Sequence, residues 1–471
     1  MSVQPNLLLI VVDQQRYDCI GYAGRYPVQT PAIDQLAREG IWFSQAYSHI
    51  PLCSPARQSL VTGRRPEAFG SLWNYDNGLK VAALDPAEYA WPRTLAGLGY
   101  RTGYIGKWNV HPDHTPIEYG YGEYVAVGEY ERYRAERYPG VVFTNGYFGE
   151  TDPVPLEGSR THFLARQACT RLAGYAAAGG PWHLRVDFPE PHLPCRPSAP
   201  YADRYRPEQV PCWHNFAETF ANKPYIQRQQ LYNWRIEDFT WADFAPVVAR
   251  YYAVISQVDD AIGRILHTLA SLGQAEDTIV VFTADHGDLC GAHRMMDKHY
   301  VMYDDVVHVP LIVRWPRRVA PGQVCSQFVY NFLDLPPTLA DLFGFDTQGA
   351  AFHGRSFAPL LFGGCPSDWR SEVVATYNGQ QFGLYTQRMI RNQRFKYVWS
   401  TTDVDEFYDL ERDPGELVNV IEDPQHGAVL REFREKLYLE LDRCGDGLIN
   451  SSWLRDQLLH GRKLAPSGRL V

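Results

Sequence analysis

Apolar runs of strand length recur along this chain, and several of them stop on a charged group. The first covers residues 6–12, apolar at every position after Asn6, and it stops at Asp13. A run apolar at every position, rather than at alternate ones, predicts a parallel strand covered on both faces. Residues 41–43, 100–105, 183–188, 278–283 and 309–314 read as further strands. Between them the apolar period becomes helical. Thr30-Pro31 opens a helix that Gly40 closes, proline being favoured at the first helical position and glycine after the last. Residues 93–99, 161–178 and 333–342 also read as helices. Tyr251, Ile255, Val258, Ile262, Ile265 and Leu269 mark one face of a long helix over 247–272. Strands alternating with helices predict an α/β fold: a large mixed, mostly parallel sheet sandwiched by helices over residues 1–362. Two stretches, about 112–159 and 196–245, are aromatic, proline-rich and weakly periodic, and read as irregular insertions. After Leu361 the segments shorten and alternate. Segments 373–377, 388–391, 395–399 and 406–410, then a helix over 427–442, predict a smaller antiparallel sheet subdomain over 363–471.

The strand ends carry the candidate chemistry. Asp13, Lys107, His192 and Asp285-His286 each follow an apolar strand. Open α/β sheets bind ligands at the carboxyl ends of their strands. One polar ending is as often a solvated loop; four of them, with a cysteine-arginine loop, point to a single site. Asp13, Gln14 and Asp285 offer oxygen, which suits a hard divalent cation such as Ca²⁺ or Mg²⁺, and the His286 imidazole admits Mn²⁺. No C-x-x-C pair supports a zinc site. The loop reads Cys53-Ser54-Pro55-Ala56-Arg57, with Thr62-Gly63 following. Its arginine is a permanent cation whose fork suits tetrahedral oxyanions. Its cysteine sulfur can act as a nucleophile or be chemically converted. Residues 57–61 should start a helix, whose amino end helps hold an anion.

Composition narrows the class. The chain has 471 residues, 45% hydrophobic and 21% charged, as in ordinary globular proteins. A formal charge of −9 with no basic stripe argues against a nucleic-acid binder. The first apolar run lacks a basic leader and is too short to span a bilayer, which predicts a cytoplasmic chain without a membrane anchor. Nine cysteines without paired spacing predict reduced thiols. Some of the 30 Tyr, 22 Phe and 12 Trp should line a large pocket.

Together, Asp13-Gln14-Gln15-Arg16, Thr30-Pro31, Cys53 to Gly63, Gly106-Lys107-Trp108, Pro191-His192, Asp285-His286-Gly287, Lys298, Val309-Pro310-Leu311-Ile312 and Tyr408-Asp409-Leu410, with Asp413-Pro414, Glu416 and Asn419, form a series. It resembles the successive motifs of the type I, formylglycine-dependent sulfatases of the alkaline-phosphatase superfamily. The resemblance implies an alkaline-phosphatase-like fold and hydrolysis of a small sulfate ester of a sugar, aryl or alkyl alcohol. It implies that a formylglycine-generating enzyme converts Cys53 to formylglycine, whose aldehyde hydrates. One hydroxyl, activated by one divalent cation (Ca²⁺ foremost), attacks sulfur; the other loses its proton, the aldehyde re-forms and sulfate leaves. Asp13, Gln14, Asp285, His286 and the modified Cys53 become metal ligands, and Arg57 holds the modified side chain. Lys107, Lys298 and His192 bind the sulfuryl oxygens, one of them assisting the leaving oxygen. Asn74 stands where related hydrolases contact the oxyanion, with Asn77 as its rival.

Two departures qualify the pattern. Gln14 replaces a second Asp found in many sulfatases, and Asn109 replaces a His after Lys-Trp. Asn109 cannot protonate a leaving group, so that role falls to His192 or Lys298; His111 reads as a pocket-rim residue. Phosphonate monoester hydrolases tend to share the Asp-Gln pair, which makes a phosphonate monoester or phosphodiester the alternative substrate. The two irregular stretches read either as substrate walls or as contacts in a homo-oligomer.

Overall fold

The computed structural model describes residues 4–379 and 381–469. Met1 to Val3, with which the amino-terminal reading begins, lie outside the described residues. In chain order the strands are β1 (Asn6–Asp13), β2 (Ile41–Phe43), β3 (Ala46–Tyr47), β4 (Arg101–Gly106), β5 (Glu123–Ala126), β6 (Trp182–Pro191), β7 (Thr278–Ala284), β8 (Leu311–Arg314), β9 (Gln323–Cys325), β10 (Val329–Tyr330), β11 (Val373–Gly379), β12 (Tyr385–Arg391), β13 (Phe395–Ser400) and β14 (Glu406–Asp409). Eight form one sheet in the order β5-β4-β6-β1-β7-β8-β2-β9. β4, β6, β1 and β7 run parallel, while β8 is antiparallel to both β7 and β2. β1 is buried at all eight positions, which is why its sequence is apolar throughout. Its register against β6 shifts between Val12 and Asp13, a bulge that re-aims the chain where the strand meets the site. Helices Arg160–Ala178 and Trp241–Ser271 pack on each other and on β6.

β11 to β14 form the smaller antiparallel sheet. Alternate residues face different neighbours, as the two-residue period of strands requires. Val373, Ala375 and Tyr377 join the main core, whereas Val374, Ile390 and Phe407 pack with Leu430, Phe433 and Leu437 of the helix Gly427–Arg443.

The structure corrects several expectations. The 112–159 stretch is not wholly irregular: it gives the sheet its edge strand β5 and a helix, Val127–Arg137. β5 is only four residues long and not fully buried, so it leaves no apolar run to read. The 196–245 stretch contains the helix Tyr225–Trp234. The helix expected from Arg57 starts at Cys53 itself. Gly40 does close its helix, but at φ −137° rather than in the left-handed region; a Cβ there would overlap the Val313 carbonyl of β8. All nine cysteines are free thiols. Among the described residues, no helix is long and apolar enough to cross a membrane.

Candidate active site

Four neighbouring parallel strands, β4, β6, β1 and β7, deliver their carboxyl ends to one edge of the sheet. Lys107 follows β4, His192 follows β6, Asp13 ends β1, and Asp285 and His286 follow β7. The helix Cys53–Thr62 brings Cys53 and Arg57 to the same place. Asp13, Cys53, Asp285 and His286 offer ligand atoms that all lie within 4.8 Å of one another, and all four residues are buried. Cys53 Sγ is 3.3 Å from His286 Nε2 and 3.8 Å from Asp13 Oδ1. His286 Nδ1 is 3.0 Å from the Gly287 carbonyl, which can only accept. In the neutral ring the proton therefore sits on Nδ1 and the Nε2 lone pair faces the cluster, the tautomer a ligating imidazole needs; burial opposes a charge on this ring, but Asp285 outweighs it and raises the His286 pKa. Two carboxylates, this imidazole and the side chain at position 53 fit a hard divalent cation.

Arg57 organises the carboxylates. It is fully buried, and its Nε donates to Asp285 Oδ2 at 3.0 Å, its Nη2 to Asp13 Oδ2 at 3.0 Å and its Nη1 to Asp187 Oδ2 at 2.6 Å. Asp187 is held in turn by Arg185 at 2.7 Å and the Tyr104 hydroxyl at 2.8 Å. Sequence reasoning misses Asp187, although a signal exists. Arg185 and Asp187 sit two apart in a strand whose intervening and flanking residues, Leu184, Val186 and Phe188, are apolar, so they share a face, and buried charges need partners.

Lys107 Nζ is 2.6 Å from Asp13 Oδ2. Lys298 Nζ is 2.7 Å from Gln14 Oε1 and 2.9 Å from His192 Nε2. His192 Nδ1 lies 2.7 Å from the Leu193 carbonyl, so Nδ1 carries the proton and Nε2 accepts from the lysine. Gln14 Nε2 donates to Asp288 Oδ2 at 2.8 Å and to Asp297 Oδ1 at 3.0 Å, two carboxylates sequence reasoning also misses. The Gln14 backbone sits at φ 65°, a rare conformation for a non-glycine residue. Its N–H donates to Asp285 Oδ1 at 3.0 Å, and its carbonyl accepts from the Tyr251 hydroxyl at 2.8 Å.

Burial opposes every charge here, and the partners decide the outcome. For Asp13, burial is outweighed by its cationic neighbours, Lys107 ahead of Arg57, which hold the carboxyl well below its usual range. Burial and Asp13 push the Cys53 thiol up, but Lys107, Lys298 and His286 outweigh them and draw it well below an ordinary thiol. Burial opposes the Lys107 and Lys298 ammonium groups and loses, chiefly to Asp13 and Asp297 respectively, so both are raised and stay cationic.

The remaining candidates lie around this centre. Asn74 Oδ1 accepts from the Ser54 N–H at 2.9 Å and caps the helix Cys53–Thr62, which leaves Nδ2 as the amide's donor. Asn77 is in the same turn, its N–H 3.3 Å from the Asn74 carbonyl. Asn109 Oδ1 accepts from the Tyr75 hydroxyl at 2.9 Å. His111 Nδ1 accepts from the Asp113 and His114 N–H groups, and burial with His114 lowers its pKa. Asn109 and His111 line a cleft of about 860 Å³ together with Lys107 and His192. Cys53, Arg57, Asp13, Asp285 and His286 are not among its lining residues. A buried centre and an open cleft thus meet at Lys107 and His192.

Residues 5–345 match the family model described as Sulfatase. The chain belongs to the sulfatase family. Residues 291–442 of this sulfatase also match the model described as N-sulphoglucosamine sulphohydrolase, C-terminal. It is 29% identical over 495 residues to the multifunctional alkaline phosphatase superfamily protein PehA of Trinickia caryophylli, covering 92% of this chain and 94% of that protein. An arylsulfatase of Clostridium perfringens is 26% identical over 497 residues, with 96% and 97% covered. Among solved structures, the phosphonate monoester hydrolase of Agrobacterium radiobacter superimposes with a TM-score of 0.80 at 26% identity, covering 93% of this chain and 96% of that one. The sulfatase is thus a hydrolase with the alkaline-phosphatase-like fold.

Proposed function

We propose that this sulfatase hydrolyses a small sulfate monoester, using position 53, matured from cysteine to formylglycine, as its nucleophile beside one divalent cation. The observation that carries this reading is Cys53 packed against His286 and Asp13 inside one buried set of ligand atoms. Asp13, Asp285 and His286 would hold the cation, with Gln14 contributing through the second lone pair of its Oε1. Calcium suits this oxygen-rich set first, then manganese or magnesium. When bound, the cation neutralises charge and lowers the pKa of the attacking hydroxyl. The formylglycine hydrate supplies one hydroxyl for attack on sulfur and a second whose deprotonation expels sulfate. Arg57 fixes Asp13 and Asp285 around that side chain. Lys107, Lys298 and the Asn74 Nδ2 group hold the sulfuryl oxygens. The hydrogen-bonded pair Lys298–His192 borders the cleft and gives the leaving oxygen its proton, since Asn109 has none to give. Every residue of the helix Cys53–Thr62 is buried, so a formylglycine-generating enzyme must reach Cys53 before the chain folds.

Gln14 and Asn109 favour a second reading, a phosphonate monoester or phosphodiester substrate. One experiment addresses both. The protein is co-expressed with a maturing enzyme, conversion of Cys53 is measured by mass spectrometry, and an aryl sulfate, phenylphosphonate and a phosphodiester are compared. Turnover of the aryl sulfate that chelation abolishes is expected. Fully converted enzyme with negligible sulfate ester turnover would refute the first reading.

A further inference from the structure

The cleft carries three guanidinium groups that the proposed reaction leaves idle, and one of them stands without an ion pair among the described residues. Arg196 lines it beside Arg134 and Arg160. Those two are paired, Arg134 with Asp152 at 3.1 Å and Arg160 with Glu190 at 2.7 Å. Among the described residues Arg196 has no ion pair, and its buried Nε has no hydrogen-bond partner. Its guanidinium carbon lies 3.9 Å from the centre of the Phe143 ring, so the planar group is stacked in place rather than swinging through water. Burial, with Arg134 and Arg160 nearby, lowers its pKa despite Glu150 and Asp152; an arriving anion relieves that strain.

The anionic reacting group is already matched at the buried centre by Lys107 and Lys298. At about 860 Å³ the cleft has room for a whole small ligand rather than a sulfuryl group alone. Tyr75, Tyr124 and Tyr130 line it, a surface suited to the face of a ring. Glu190 Oε2 is buried without a partner and can accept from a ring hydroxyl. We propose that Arg196 binds a second anionic group, a carboxylate or sulfate, on the same substrate molecule, which makes the substrate an acidic, hydroxylated-ring sulfate ester. This deepens the sulfate ester reading above and rests on it for the reacting group.

The test compares sulfated glucuronides, with sulfate at each ring hydroxyl in turn, against their methyl esters, which keep the ring and lose the second charge. Disulfated and monosulfated glucosamine supply the sulfate arm. Binding is read by calorimetry on Cys53→Ala protein, so the result does not depend on turnover; aryl sulfate hydrolysis by matured enzyme separately tests the sulfate ester reading. The doubly charged member of at least one pair should bind roughly 10- to 100-fold tighter, the range for a charged hydrogen bond. Adding Arg196→Gln should close that gap to about 2-fold, and Arg196→Lys should keep part of it. Thermal unfolding checks that each variant is folded. No gap in any pair, or a gap that survives Arg196→Gln in folded protein, overturns the proposal.

Discussion

Replacing Gln14 by glutamate exchanges one amide nitrogen for oxygen and barely alters shape. In the folded chain that atom faces Asp288 Oδ2 at 2.8 Å and Asp297 Oδ1 at 3.0 Å. The pair is already crowded: burial and Asp297 push Asp288 up to about 6. At an effective dielectric constant of about 20, a new negative charge costs roughly 5 kcal/mol against each carboxylate, and Lys298 offsets about one of the two. The remaining repulsion, about 5 kcal/mol, exceeds the cost of protonating a glutamate at pH 7, about 3.7 kcal/mol from its ordinary pKa of about 4.3. The cheaper route prevails, so the Q14E cluster takes up a proton on folding. The protonated side chain donates to one carboxylate instead of two, a further loss of about 1–3 kcal/mol. The expected destabilisation is therefore about 5 kcal/mol at pH 7. A carboxyl whose folded pKa lies above its unfolded value costs stability at high pH, and the cost shrinks by about 1.4 kcal/mol per pH unit on acidification until the unfolded pKa is reached. About 2.7 kcal/mol should thus return between pH 7 and pH 5. Urea unfolding of chelator-treated protein, followed by tryptophan fluorescence against wild type at each pH, measures this. A loss below about 1 kcal/mol at pH 7, or one that does not shrink on acidification, refutes the placement of Gln14 between two ionised carboxylates.

Two further substitutions test how the site is supported. Lys223 is buried, and its Nζ bonds the Tyr303 hydroxyl at 3.0 Å, the Tyr408 hydroxyl at 2.8 Å and the Glu416 carbonyl at 2.5 Å, tying the 196–245 stretch to β14. Lys223→Met leaves these groups and Glu218 without their cation; the urea midpoint should fall by the equivalent of about 3–5 kcal/mol, and an unchanged midpoint shows the contact to be idle. Gly106 sits at φ 104°, and a Cβ there would overlap the Asp187 carbonyl oxygen. Gly106→Ala should therefore abolish soluble expression or cost more than about 3 kcal/mol, an account that a soluble variant of wild-type stability contradicts.

The strand ends were legible because β1 and its neighbours are buried on both faces. Continuous apolar runs make the first charged residue after each one conspicuous. What lay out of reach is what pairs across the fold. Asp187, Asp288 and Asp297 matter through Arg57 and Gln14, and the bonds span 130, 274 and 283 positions. The start of the helix Cys53–Thr62 was hidden for a related reason. Leu52, at its N-cap, has no capping side chain, and the cap comes from Asn74, which accepts from the N–H of Ser54, 20 residues before it. Local signals for a helix start cannot register a cap supplied from elsewhere in the chain. Gly40 gave the right boundary for another cause, because closeness to β8 rather than a left-handed turn demands the glycine.

The two departures from the common sulfatase pattern carry different weight once they are placed. Gln14 does not strip negative charge from the site, because Asp288 and Asp297 stand immediately behind it. The charge has moved back one layer, where it fixes the amide and, through Gln14 Oε1, orients Lys298. A sulfate monoester and a phosphonate monoester each bring one negative charge and tetrahedral oxygens, and the proposed cradle of Lys107 and Lys298 would answer both alike. Asn109 belongs to the cleft wall, where it accepts from the Tyr75 hydroxyl. On the sulfate ester reading proposed above, the wall rather than the centre would tell substrates apart. It is built largely from the 112–159 stretch together with Arg196, the cation to which the proposal above assigns a second anion.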